Sequence, residues 1–132
     1  MKQQANILIV DDELEIREVL KEFLQLKGYA ALTAANGVEA LTCLKAEKLD
    51  LALVDMWMPG MNGLEILRSI RAIDPSVGVI IMTGLCDAEI ARQAIESGAH
   101  DYLLKPLDLR RLEDAIRAGL TGAPQACPTL LA

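Results

Sequence analysis

Five short apolar runs, each followed by a segment of helical period, set the tightest limit on what this chain can fold into. The runs are Ile7-Leu8-Ile9-Val10, Ala30-Ala31-Leu32-Thr33-Ala34, Leu51-Ala52-Leu53-Val54, Val79-Ile80-Ile81-Met82 and Tyr102-Leu103-Leu104. Continuous apolar runs of this length mark strands buried on both faces. The second run is weak, and is assigned mainly because the alternation requires a strand there. Helical faces follow: Ile16, Val19, Leu20 and Phe23; Val38, Leu41 and Leu44; Leu64, Leu67, Ile70 and Ile73; Ile90, Ala94 and Ile95; Leu109, Leu112, Ile116 and Leu120. Strands joined by helical crossovers run parallel. The chain is therefore predicted to be α/β: a doubly wound, five-stranded parallel sheet with helices on both faces, in the flavodoxin-like order 2-1-3-4-5.

The punctuation agrees. Gly28 and Gly98 are placed to end helices, and Asp74-Pro75 breaks the third. Asn36 with Glu39, and Asn62 with Glu65, have the spacing of capping boxes. Asn-Gly also announces hairpins, but helical periodicity follows both copies. Asp87 and Asp108 are placed to cap the last two helices. A length of 132 residues suits one domain, expected over residues 1–120, with residues 121–132 a flexible tail or the start of a linker containing Pro124 and Pro128.

Composition narrows the class. The chain is 52% hydrophobic but only 3% aromatic, which calls for an aliphatic core. A net charge of -6 argues against direct nucleic-acid binding by this domain. Cys43, Cys86 and Cys127 are far apart, with no metal or redox spacing. Together with the lack of a signal-peptide pattern or a membrane-length apolar stretch, they predict a cytoplasmic chain that makes no membrane contact.

In a parallel sheet, ligands bind at the C-terminal edge of the strands. Reading past each strand gives Asp11 and Asp12, then Asp55, Thr83 and Lys105. Three carboxylates in one pocket repel one another, and a hard divalent ion such as Mg²⁺ relieves this with oxygen ligands. Lys105 and the Thr83 hydroxyl are then free to meet a phosphoryl group, and Asp55 to act as a nucleophile forming an acyl phosphate. Each residue also has a plainer reading. Asp12 with Glu15 can cap the first helix, Asp55 and Thr83-Gly84 can be turns, and Lys105 a solvated loop charge. None of these explains why all five share one edge.

Asp11-Asp12, Asp55-Met56-Trp57-Met58-Pro59-Gly60-Met61-Asn62-Gly63, Thr83-Gly84 and Lys105-Pro106 resemble the signature of response regulator receiver domains, over roughly residues 5–120. The resemblance implies that Asp55 accepts a phosphoryl group from a sensor histidine kinase or phosphotransfer protein. Mg²⁺, for which Mn²⁺ can substitute, would be held by Asp12, Asp55 and the backbone carbonyl of Trp57, with Asp11 acting through water. Lys105 would pair with the phosphoryl group, and Lys105-Pro106 would be a cis peptide. Thr83 and Tyr102 match the switch pair, the hydroxyl moving toward the phosphoryl oxygen and the ring turning inward behind it. The readout surface would be the fourth helix, fifth strand and fifth helix, where Ile90, Arg92, Tyr102, Arg110, Arg111 and Arg117 are candidates for partner or homodimer contacts. A solvated face is the plainer reading of the arginines.

Trp57 and Leu85 depart usefully from the pattern. They stand two residues past Asp55 and Thr83, positions that the resemblance implies flank the path of hydrolytic water, and their apolar side chains then predict a long-lived phosphate and slow autodephosphorylation. Asn62, where the family often has Asp, is expected to matter only for capping, and His100 to be structural or exposed. Three other readings compete. A Mg²⁺-dependent phosphatase would want a second acid where Trp57 stands. A flavin carrier would need a hydroxyl-rich phosphate loop where Asp11 and Asp12 stand. A docking module independent of phosphorylation would be expected to lose one of the five site residues. A stand-alone regulator and a receiver from a longer protein are equally compatible with this chain.

Overall fold

The computed structural model describes residues 4–85 and 87–121. The elements run β1 (Asn6–Val10), α1 (Leu14–Leu26), β2 (Ala30–Ala34), α2 (Gly37–Ala46), β3 (Leu51–Asp55), α3 (Gly63–Ile73), β4 (Gly78–Thr83), α4 (Ala88–Glu96), β5 (Asp101–Leu104) and α5 (Leu109–Thr121). The strands form one sheet in the order β2-β1-β3-β4-β5, every pair parallel. This is the doubly wound, flavodoxin-like arrangement expected. The anticipated tail begins at the last residue of α5, and residues 122–132 lie outside the described part. No described helix is long and apolar enough to cross a membrane.

Two aliphatic layers hold the sheet. Leu8, Val10, Ala52, Val54, Val79 and Ile81 point toward α2, α3 and α4, and Ile7, Ile9, Leu51, Leu53, Ile80 and Met82 toward α1 and α5. That alternation is why β1, β3 and β4 read as unbroken apolar runs. Edge strand β2 buries only Ala34, which accounts for its faint sequence signal. Val19, Val38, Ile73 and Leu109, placed on core faces by periodicity, are each more than two-fifths exposed. They lie at the rims of their apolar stripes, where turning about the helix axis carries a side chain past its neighbours.

The caps show why the helices start where they do. Asn62 and Glu65 form the full capping box: the Asn62 side chain accepts from Glu65 N, and the Glu65 carboxylate from Asn62 N. At α2 the Asn36 side chain accepts from Glu39 N, but Glu39 reaches one residue further back, to Ala35 N. Asp87 and Asp108 accept from the amides of the following turns. Asp12 does not cap α1. The N-cap is Glu13, which makes no side-chain cap bond, and it is Asp11 Oδ1 that accepts from Glu13 N at 2.9 Å. The Asp12 carboxylate lies instead with those of Asp11 and Asp55.

Candidate functional site

Three strand ends meet at the middle of the C-terminal edge. β1 delivers Asp11 and Asp12, β3 ends on Asp55, and β4 on Thr83. One ligand oxygen from each of Asp11, Asp12 and Asp55 lies within 4.8 Å of the others. From the edge strand β5, Lys105 Nζ donates to Asp11 Oδ2 at 2.7 Å and lies 3.3 Å from Asp55 Oδ1. The structure thus gathers all five residues expected at this edge.

Local geometry fixes each member. Arg17 Nη1 donates to the Asp11 carbonyl, tying the β1–α1 loop to α1. Met56 N donates to Met82 O, and Gly63 N to Met56 O, so the chain leaves Asp55 tightly folded over α3. A Cβ on Gly63 would lie 2.8 Å from the Met56 Cα, so only glycine admits this close approach. Lys105 N donates to Thr83 O, anchoring the last loop to β4, and the Lys105–Pro106 peptide is cis.

The electrostatics are those of a pocket short of positive charge. Asp55 is 6% exposed. Burial pushes its carboxyl up to about 6 from the ordinary 3.8, Lys105 pulls it partly back, and Asp11 and Asp12 add repulsion. For Lys105, burial alone would lower the pKa, but its hydrogen bond to Asp11 and the charges of Asp11 and Asp55 leave it raised. A set of clustered carboxylate oxygens held against one ammonium fits a hard divalent cation. Both Asp11 oxygens are already engaged, one by Lys105 and one by Glu13 N, whereas Asp12 is exposed.

Around this pocket the remaining expected residues fall into place. Thr83 Oγ1 accepts from Leu85 N at 3.1 Å, and Tyr102 Oη donates to Leu85 O at 3.3 Å. Tyr102 is only 3% exposed, so its ring is turned inward and offers little to a partner on the α4–β5–α5 face. Trp57 and Leu85 are 47% and 58% exposed. Of the surface arginines, Arg92 pairs with Glu89 and Glu96, and Arg117 with Glu113, all within their own helices. Arg111 is different. It reaches Asp101 Oδ2 at 2.8 Å, and Asp101 is 2% exposed.

Two polar anchors escaped sequence reasoning. Asp101 opens β5 and looks like a loop acid, and only the fold reveals Arg111 as its partner. Arg71 sits on an α3 otherwise read for its apolar face, and donates to the carbonyls of Gly98 and Val77.

A five-stranded, doubly wound sheet with an acidic pocket and one lysine at its C-terminal edge places the chain among flavodoxin-like α/β proteins, whose sites lie at that edge. The model of the response regulator receiver domain matches residues 7–117, and the chain belongs to that family. It is 41% identical over 111 residues to sporulation initiation phosphotransferase F of Bacillus subtilis, covering 84% of this chain and 90% of that protein. To the transcriptional regulatory protein ZraR of Klebsiella oxytoca it is 40% identical over 84% of its own length, but only 25% of that protein. Among solved structures, a CheY-like receiver domain protein from Methanospirillum hungatei superposes with a TM-score of 0.87 at 32% identity, over 92% of this chain and 97% of that one. The response regulator TrrA of Thermotoga maritima, solved with Mg²⁺ and BeF, gives 0.81 at 35% identity, over 89% of this chain and all of that one. The chain is a two-component receiver domain, a signalling switch of the kind that works with histidine kinases or phosphotransfer proteins and binds Mg²⁺ at an acidic pocket.

Proposed function

We propose that Asp55 is the phosphoacceptor, taking a phosphoryl group from the phosphohistidine of a sensor kinase or phosphotransfer protein. The observation that carries this is the placement of Asp55: nearly buried, centred among Asp11, Asp12 and Lys105, and short of positive charge. Asp12, Asp55 and the Trp57 carbonyl would hold Mg²⁺ directly, and Asp11, whose oxygens are engaged, through water. Bound there, the cation supplies positive charge facing the phosphoryl oxygens. Asp55 attacks phosphorus as its carboxylate, the imidazole nitrogen of the donor leaves, and Lys105 neutralises charge on the transferred group.

The Thr83 hydroxyl then turns toward a phosphoryl oxygen and gives up Leu85 N, loosening the β4–α4 loop behind which Tyr102 is already turned inward. The α4–β5–α5 face is the readout, with Ile90, Arg92, Arg110 and Arg117 facing a partner, an output domain or a second copy, and Arg111 held at that face by Asp101. Trp57 and Leu85 screen the acyl phosphate from water, so autodephosphorylation is slow. Trp57→Asn should therefore shorten the phosphate lifetime severalfold in Mg²⁺-saturated protein. Rapid loss from the wild type, unchanged by the substitution, would refute the screen.

Intact mass after incubation with Mg²⁺ and acetyl phosphate tests the acceptor. One added phosphoryl group is expected, absent in Asp55→Asn. No phosphorylation by this donor or by a histidine kinase would instead favour a docking module.

A further inference from the structure

Helix α4 is held by its ends more than by its face. It has nine residues and fully buries only the small side chains of Ala91 and Ala94, with Ile90 and Ile95 packed against the core but partly exposed, so its apolar hold is modest. At its start, Asp87 accepts from Glu89 N and Ile90 N. The segment before it is tied through Leu85, to Thr83 Oγ1 by its amide and to the Tyr102 hydroxyl by its carbonyl.

The far end is built differently. Gly98 N donates to Ile95 O and Ala99 N to Ala94 O, closing the helix with Gly98 at φ +106°. Helix α3 then grips this closure. Arg71 Nε and Nη2 both donate to Gly98 O, at 3.1 and 2.7 Å, Nη1 donates to Val77 O at the start of β4, and Arg68 Nε lies 3.4 Å from Ser97 Oγ. The last turn of α4 has no basic residue and carries Glu96, the wrong sign for the negative end of a helix. Arg71 and Arg68 supply that charge from a neighbouring element. The fit is close: a Cβ on Gly98 would lie 2.7 Å from Arg71 Nε.

We propose that Arg71 is the pivot of the switch, fixing the Ser97–Gly98 end of α4 to α3 and β4 so that loosening of the β4–α4 loop tilts the helix from its Asp87 end. The proposal rests on the reading of Asp55 as acceptor and Thr83 as the group that releases Leu85. Every tie that phosphorylation would alter lies at the Asp87 end, and the Arg71 carbonyl contacts lie at the other. Arg71 is a positioning residue, because its hydrogen bonds go to the carbonyls of Gly98 and Val77 and not to the pocket.

Hydrogen exchange of the full chain, with Mg²⁺ alone and with Mg²⁺ and beryllofluoride, separates the alternatives. In the wild type, beryllofluoride should change exchange at least fivefold over residues 87–91 and less than twofold over 95–99. In Arg71→Met the change should spread to 95–99, and those amides should already exchange about tenfold faster without beryllofluoride. Arg71→Lys keeps the charge but cannot fork across both carbonyls, so it should spread the response partially; it carries the test if Arg71→Met does not fold. Equal responses at both ends of α4 in the wild type, or a response still confined to 87–91 in the folded variant, would overturn the pivot. So would a response around Asp55 that leaves both ends of α4 unchanged. Absence of any response, including around Asp55, would instead overturn the acceptor reading and the pivot with it.

Discussion

Replacing Asp55 by Asn should stabilise the metal-free protein, and the size of the gain should follow pH. Burial and the neighbouring Asp11 and Asp12 carboxylates hold Asp55 at about 6 in the folded chain, against an ordinary value of 3.8. A raised folded-state pKa means that protonated Asp55 is the form the fold favours. Its contribution is complete below pH 3.8 and is lost as pH rises through about 6. Each pH unit between the two values is worth about 1.4 kcal/mol, so the full loss is on the order of 3 kcal/mol. Asparagine keeps the shape and never ionises. Urea unfolding in EDTA, at pH values from 4.5 to 7.5, should show Asp55→Asn gaining about 1 kcal/mol at the acid end and on the order of 3 kcal/mol above pH 7. Millimolar Mg²⁺ should shrink the difference by stabilising the wild type more than the variant. A difference independent of pH, or one that grows toward acid, would show that Asp55 is not the strained carboxylate of the pocket.

Lys105→Met leaves Asp11, which has no exposed surface, without its cation; we expect about 3 kcal/mol of lost stability in EDTA by urea unfolding, and loss of phosphorylation by acetyl phosphate. Arg111→Ala removes the ion pair of the buried Asp101 carboxylate, which still accepts from Tyr102 N, and should lower stability by about 2 kcal/mol at pH 7, with Asp101→Asn in the same chain restoring part of it. Asn62→Ala removes one half of the capping box and should lower stability by about 1 kcal/mol, leaving phosphorylation of Asp55 intact.

How far the structure was legible depended on whether a residue's role was local. β1, β3 and β4 bury both faces, so their apolar runs announced them. β2 lies at an edge with a half-solvated Ala-Ala-Leu-Thr-Ala sequence, and only the βα alternation pointed to it. The site was readable because parallel strands all end on one edge, which turns scattered residues after strands into neighbours. The plainer reading of Asp12 as a cap of α1 fails because sequence spacing cannot tell which of two adjacent acids meets the amides: Asp11 accepts from Glu13 N while also lying in the pocket, and Asp12 lies in the pocket alone. Asp101 and Arg71 were silent for a related reason. Their partners, Arg111, Gly98 and Val77, lie on other elements, and nothing in the local pattern distinguishes an anchored ion from a solvated one.

The ion pair from Lys105 to Asp11 joins residues 94 positions apart in the chain. On a ribosome, the three carboxylates therefore emerge long before the one ammonium that partly offsets them. Until β5 docks, β1 and β3 can meet only by bringing those like charges together, a repulsion that opposes premature closure of a partial sheet. Long-range pairings of this kind are made late, after the entropy of closing the intervening chain has been met. The residue that would steady a phosphoryl group is thus also one that eases repulsion along the acidic edge once β5 has docked.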